Sequence, residues 1–164
     1  MHRICSHVLL CSLLFAMAFT REIARAQFRS SCPIITSDEA AAVIGGKPSR
    51  TEDGPACTYK LPGGSVTMIV EIQGVGSSAP MIFADSRREF VGKGAVVKDE
   101  PGIGLPAFSF VNGDNDERAS GFFVLKGSGV LMVIVIQEKP RGLPKSAGML
   151  DKLRPAIKKA AGRI

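Results

Sequence analysis

Val130-Leu131-Met132-Val133-Ile134-Val135-Ile136 is an unbroken apolar run, entered from a turn at Gly127-Ser128-Gly129 and preceded by Gly121-Phe122-Phe123-Val124-Leu125. Its length, its β-branched residues and the glycines before it read as a strand. With Gly121–Leu125 it forms a hairpin. A strand that alternates with polar residues has one wet face, whereas this one is apolar on both. It therefore predicts a central position in a sheet covered on both sides.

A second hairpin lies upstream. Cys57-Thr58-Tyr59-Lys60-Leu61 reads as a strand and Pro62-Gly63-Gly64 as its turn. Val66, Met68, Val70 and Ile72 then form one buried face alternating with Thr67 and Glu71. Shifting residues 59–73 by 64 positions lays them on 123–137. Leu61, Gly63, Val66, Met68, Ile72 and Gln73 then meet Leu125, Gly127, Val130, Met132, Ile136 and Gln137, and after a four-residue change of length Ala79-Pro80-Met81-Ile82 falls on Ala147-Gly148-Met149-Leu150. The match suggests an internal repeat, 59–91 and 123–164, although two hairpins can also converge on such a pattern. Either origin predicts an α+β fold: an antiparallel sheet of about five to six strands built from two hairpin-plus-helix (ββα) units. Both helices are expected on one face, with Met68 and Met132 equivalent. The short N-terminal helix and the phenylalanines are left to cover part of the other.

That short helix is marked by Thr36, which can cap it, by Glu39 completing a capping box, and by Ile35, placed to staple onto Ala40. Gly45-Gly46 end it. A polar loop through Pro48 and Asp53 is expected next. Residues 80–91 read as a helix from Pro80, with Ile82, Phe83, Phe90 and Val91 apolar and Arg87 inside their arc. Ala95–Lys98 and Ala107–Val111 read as short strands. At 100° per residue, Met149, Leu150, Leu153, Ala156, Ile157, Ala160, Ala161 and Ile164 share one arc of a last helix, capped by Ser146. Lys152, Arg154, Lys158, Lys159 and Arg163 fill the opposite arc. Pro155 also falls there, where water can satisfy the Asp151 carbonyl it frees, so the helix is expected to continue through it.

Residues 1–26 have the layout of a secretory signal: Arg3, an apolar run from Val8 to Phe19, and Ala24-Arg25-Ala26 as a cleavage site. The remaining 27–164 suit one domain, with no transmembrane segment. Both histidines, His2 and His7, fall in the leader, so imidazole general bases and imidazole metal ligands drop out of the mature chain. Cys5 and Cys11 leave with them. Cys32 and Cys57 remain as the only possible intramolecular pair, a bridge contributing about 3 kcal/mol in the chain-entropy model and persisting in an oxidising compartment. Residues 27–138 carry 10 Lys and Arg against 13 Asp and Glu, and 139–164 carry 8 against 1. Basicity confined to one end favours an anionic lipid, a wall polymer or an acidic protein over nucleic acid; a solvated helix face is the plainer alternative.

Motifs for chemistry are weak. Gly74-x-Gly76-x-x-Ala79, with Asp99 and Glu100 downstream, has dinucleotide-fingerprint spacing but follows a hairpin strand, so the glycines are expected to serve a turn. Asn112-Gly113-Asp114-Asn115-Asp116-Glu117 begins like a calcium loop, yet Glu117 stands where glycine is needed and Phe123 where the bidentate acid is needed. There is neither a G-x-S-x-G elbow nor an S-x-x-K pair. No cofactor or metal is expected, and no enzymatic activity; a histidine-free hydrolase would need two carboxylates brought together in a cleft.

The opening Cys32-Pro33-Ile34-Ile35-Thr36-Ser37-Asp38-Glu39-Ala40, with Gly54-Pro55-Ala56-Cys57-Thr58-Tyr59, Gly102-Ile103-Gly104 and the amphipathic last helix, resembles a broad group of small exported bacterial domains of unknown function, many of them lipoproteins. The resemblance implies an α+β fold and no known chemistry. Members commonly carry an acid after the glycine pair and a lipid-bearing cysteine. Here Leu105-Pro106 follow Gly104, and Arg29-Ser30-Ser31 precede Cys32 where an apolar residue is wanted. The expectation is a periplasmic or secreted, noncatalytic binding or envelope-accessory module. The alternative is a membrane- or anionic-polymer-binding protein acting through Lys152, Lys158, Lys159 and Arg163 of its last helix. Intact mass of the exported protein should show cleavage between Ala26 and Gln27; a mass retaining the leader would refute it.

Overall fold

The computed structural model describes residues 30–113, 117–138 and 146–164; the expected leader, the centre of the acidic loop and the segment before the last helix lie outside them. The apolar run lies in β7 (Gly129–Glu138), flanked by β3 (Val66–Val75) and β6 (Glu117–Lys126). β2 (Ala56–Lys60) and β1 (Ser49–Asp53) extend the sheet beyond β3, and β5 (Ala107–Gly113) and β4 (Val96–Asp99) extend it beyond β6. The result is a seven-stranded antiparallel sheet in the order β1-β2-β3-β7-β6-β5-β4. Helices α1 (Ser37–Ile44), α2 (Ala79–Gly92) and α3 (Ser146–Arg163) pack on it, an α+β fold.

β7 is buried from both sides. Leu131, Val133 and Val135 pack with Val66, Met68, Val70, Phe122 and Val124 under α1 and α3. Val130 and Met132 point the other way, into Phe108, Phe110, Phe123 and the α2 residues Ala79, Ile82, Phe83 and Phe90. On this second face Phe90 stacks on Phe110 at 3.9 Å between ring centroids, and Phe108 on Phe123 at 4.9 Å. Arg87, inside α2's apolar arc, lies over the Phe108 ring at 5.8 Å and pairs with Asp99, so its aliphatic stem covers the aromatics while its charge stays at the edge.

Three expectations are corrected. The sheet has more than five to six strands, because Ser49–Asp53 is a strand and not a loop; all five of its residues are exposed, so no alternation marks it. The helices of the two ββα units are not on one face, and α1 shares α3's side instead of covering the opposite one. Met68 and Met132 consequently face opposite ways. A half-turn about the sheet normal lays β2–β3 on β6–β7 but leaves α2 and α3 on opposite faces, so hairpin and helix do not superpose together. The connections explain this. β3 and β4 run parallel with three strands between them, making α2 a crossover, whose hand is almost always right. That hand gives α2 one face, and β7's other face is left for α3.

The N-terminal segment is knotted to β2. Cys32 and Cys57 form the expected disulfide, with Cα atoms 4.9 Å apart. The fully buried Tyr59 hydroxyl donates to the Ile35 carbonyl, and burial raises its pKa, keeping the phenol neutral. Ser31 Oγ accepts the Ile72 amide at 3.0 Å. The capping box forms as expected: Thr36 N–H to Glu39 Oε2 at 2.9 Å, and Glu39 N–H to Thr36 Oγ1 at 3.3 Å, with Gly45 left-handed at the far end. α3 continues through Pro155.

Gly121, in the middle of β6, sits directly across from Phe110, whose ring occupies the room a side chain would take. A Cβ there would lie 2.3 Å from the Val133 carbonyl oxygen and 2.8 Å from Phe110 Cε1. Gly121→Ala should therefore cost about 2 kcal/mol or more in urea unfolding. Gly102→Ala, which meets nothing within 4 Å, should change stability by less than about 1 kcal/mol.

Candidate anionic-surface site

α3 divides its arcs as its sequence requires. Met149, Leu150, Leu153, Ala156, Ile157, Ala160 and Ala161 are buried against the sheet and α1, and Lys152, Pro155, Lys158 and Lys159 are exposed. Lys126 donates to the Ala161 carbonyl at 2.9 Å, placing a cation at the helix's negative end. The docked arc gives the lysines a rigid base. Lys152 and Lys159 are two turns apart, about 10 Å along the axis, and Lys158 flanks them. Among the described residues, none of the three pairs with a carboxylate.

The two arginines of α3 behave differently. Arg154 is bidentate on Glu100, Nε to Oε2 and Nη2 to Oε1 both at 3.1 Å. It also donates to Asp151 at 2.8 Å and lies over the Phe122 ring at 5.9 Å. Its hydrogen bonds to Glu100 and then Asp151 hold it more firmly protonated than usual. Burial pushes the Glu100 carboxyl up, but hydrogen bonds from Arg154 and from Ser109 Oγ, the latter at 2.8 Å, outweigh it and leave the pKa below its ordinary value. Ser109 on Glu100 is the described arrangement nearest to a nucleophile and its base. Ser109 is buried, and the arginine suppresses the basicity of Glu100, so the group works as a clamp between α3 and the start of β5.

Arg163, expected on the open basic arc, is a second clamp. Its Nη1 donates to the Ile34 carbonyl at 2.8 Å and to Glu39 Oε2 at 2.6 Å, and Nη2 donates to Glu39 Oε1 at 2.8 Å. Glu39 thus closes the capping box and ties the end of α3 to the start of α1. Neither Glu39–Arg163 nor Glu100–Arg154 leaves a sequence signal, since the partners are 124 and 54 residues apart. The structure therefore keeps Lys152, Lys158 and Lys159 together on the surface and assigns Arg163 to the fold.

The glycine motif serves a turn. Gly74 and Gly76 are left-handed, Gly74 lies in a bulge of β3, and a Cβ on it would meet Ile82 Cδ1 at 2.6 Å. It lets α2 approach the antiparallel strand β3. Among the described residues no three His, Cys, Asp or Glu gather at metal-binding distance, and no helix is long and apolar enough to cross a membrane. Asp114, Asn115 and Asp116 of the acidic loop lie outside them. The chain matches no family model and no curated protein.

The Glu39 clamp has a pH signature. The Arg163 hydrogen bonds lower the Glu39 pKa from 4.5 to about 2, overcoming its partial burial with help from Thr36. A depressed carboxylate stabilises the fold above its unfolded pKa and loses that contribution as pH falls through its folded pKa. Glu39→Gln should therefore melt below wild type near neutrality, and the gap should close between about pH 4.5 and 2 in thermal melts.

Proposed function

We propose that the protein is an exported, noncatalytic binding module that meets an anionic envelope component through the exposed arc of α3. One observation carries this reading: Lys152, Lys158 and Lys159 are exposed and, among the described residues, without carboxylate partners on a helix whose two arginines are both engaged by Glu or Asp. The surrounding chemistry distinguishes charges that the fold uses from charges that it leaves in water. The Cys32–Cys57 bridge supports an oxidising compartment, the periplasm or the exterior.

The docked arc favours a surface contacted from outside over a helix that inserts. Leu153 and Ile157 are fully buried, and turning them to lipid would leave the sheet residues they cover, such as Val133 and Val135, facing water at about 1.5 to 3 kcal/mol each. The fitting partner chemistry is a phosphate- or carboxylate-bearing polymer, an anionic lipid headgroup layer or an acidic protein patch, all of which use the same lysines.

A lysine near an anionic surface contributes about 1 kcal/mol, so Lys158→Glu with Lys159→Glu should lower partitioning onto anionic vesicles or wall polymer by about thirtyfold or more. Melting should be nearly unchanged, and wild-type retention should fall with added salt. Arg88→Glu with Lys93→Glu, the same change of net charge at the C-terminal end of α2, should leave retention intact. Equal losses from both pairs would reduce the effect to net charge and refute the site.

A further inference from the structure

Among the described residues β1 is an edge strand, its sequence Ser49-Arg50-Thr51-Glu52-Asp53 exposed throughout and paired only to β2. We infer that this edge pairs with the same edge of a second copy, joining the two sheets through an antiparallel β1–β1 ladder centred on Thr51. The register follows from strand geometry. On a strand already bonded on one side, alternate residues point their N–H and C=O groups outward, and facing residues in an antiparallel ladder must be of the same kind. A two-fold axis between identical strands must therefore pass through a residue and not between two.

Three positions place that axis well inside β1. Centred on Arg50 or on Glu52, the axis sets that charge against itself. Centred on Thr51, it sets Arg50 against Glu52 of the partner, Glu52 against Arg50, Ser49 against Asp53 and Thr51 against Thr51, and it uses the whole strand. Opposite charges and paired threonines are the favourable cross-strand combinations, and like charges are the unfavourable ones. Arg50 and Glu52 lie on one face of the sheet, alternating with Thr51, so both ion pairs form on that face. The other edge has no such pattern: an axis on Val97 sets Val96 against Lys98, and an axis on Lys98 sets that charge against itself.

The experiment is sedimentation equilibrium of the purified exported protein from micromolar to millimolar concentration at low salt. Wild type should dimerise reversibly. Glu52→Arg should raise the dimer dissociation constant by at least about tenfold, since symmetry turns two attractive pairs repulsive. Arg50→Glu should do the same, and the double exchange Arg50→Glu with Glu52→Arg should restore the dimer. Because Arg50 also lies across from Tyr59, melting curves check each variant, and Glu52→Arg with the double exchange decides if Arg50→Glu fails to fold. A wild type that stays monomeric at millimolar concentration makes the charges edge guards against pairing and overturns the proposal. So does a dimer that survives Glu52→Arg, or one that the double exchange fails to restore.

Discussion

Burying β7 from both sides is the constraint on which the other elements depend. A strand with Leu131, Val133 and Val135 on one face and Val130 and Met132 on the other cannot lie at an edge or under a single layer of helices. It needs a neighbour on each side, supplied by β3 and β6, and apolar cover above and below. α2 and the phenylalanines of β5 and β6 form one cover, and α1 and α3 form the other. Removing either layer would expose a row of apolar residues in the middle of the sheet, at roughly 1.5 to 3 kcal/mol for each large side chain.

The cover formed by α1 and α3 is held by cross-links of three kinds. The disulfide joins residues 25 apart and limits the unfolded ensemble. Tyr59 places a neutral phenol beneath the loop before α1 and donates to the buried Ile35 carbonyl. The Glu39–Arg163 and Glu100–Arg154 pairs bind the end of α3 to α1 and its middle to the start of β5. Both pairs are partly sheltered and bidentate, which distinguishes them from the pairs on α2, such as Lys93–Glu89, whose side chains are both about 60% exposed and contribute little.

Much of this was legible wherever a local rule was sufficient. The capping box at Thr36 and Glu39, the alternation in Val66–Ile72, the two-sided character of β7, the disulfide and the docked arc of α3 each depend on neighbours a few residues away or on a single possible partner. β1 was not legible, because alternation reports a difference between two faces and both of its faces are wet. The faces taken by α2 and α3 were not legible either. Hairpin sequence is indifferent to the hand of the following connection, and α2 takes its side only once β4 is known to lie at the far edge. Arg163 and Arg154 looked like members of one solvated row because helical periodicity places residues on an arc without revealing what waits opposite them. For the same reason Lys152, Lys158 and Lys159 became distinguishable from the arginines only in three dimensions.

The placement of α3 also links the two surfaces. An axis through Thr51 normal to the sheet relates two copies without exchanging faces, so both α3 helices would lie on the same side of the joined sheet. Their lysines would then address one plane, and a surface bound by one copy would hold the other at high local concentration. Had α3 packed with α2, the lysines would sit on the side where Thr51 and its partner meet, with the Arg50–Glu52 pairs on the far side. In the observed fold the edge charges and the basic arc share a face. A contact that strengthens the ladder therefore does so beside the surface that the lysines present, and salt should weaken both together because each depends on exposed charge.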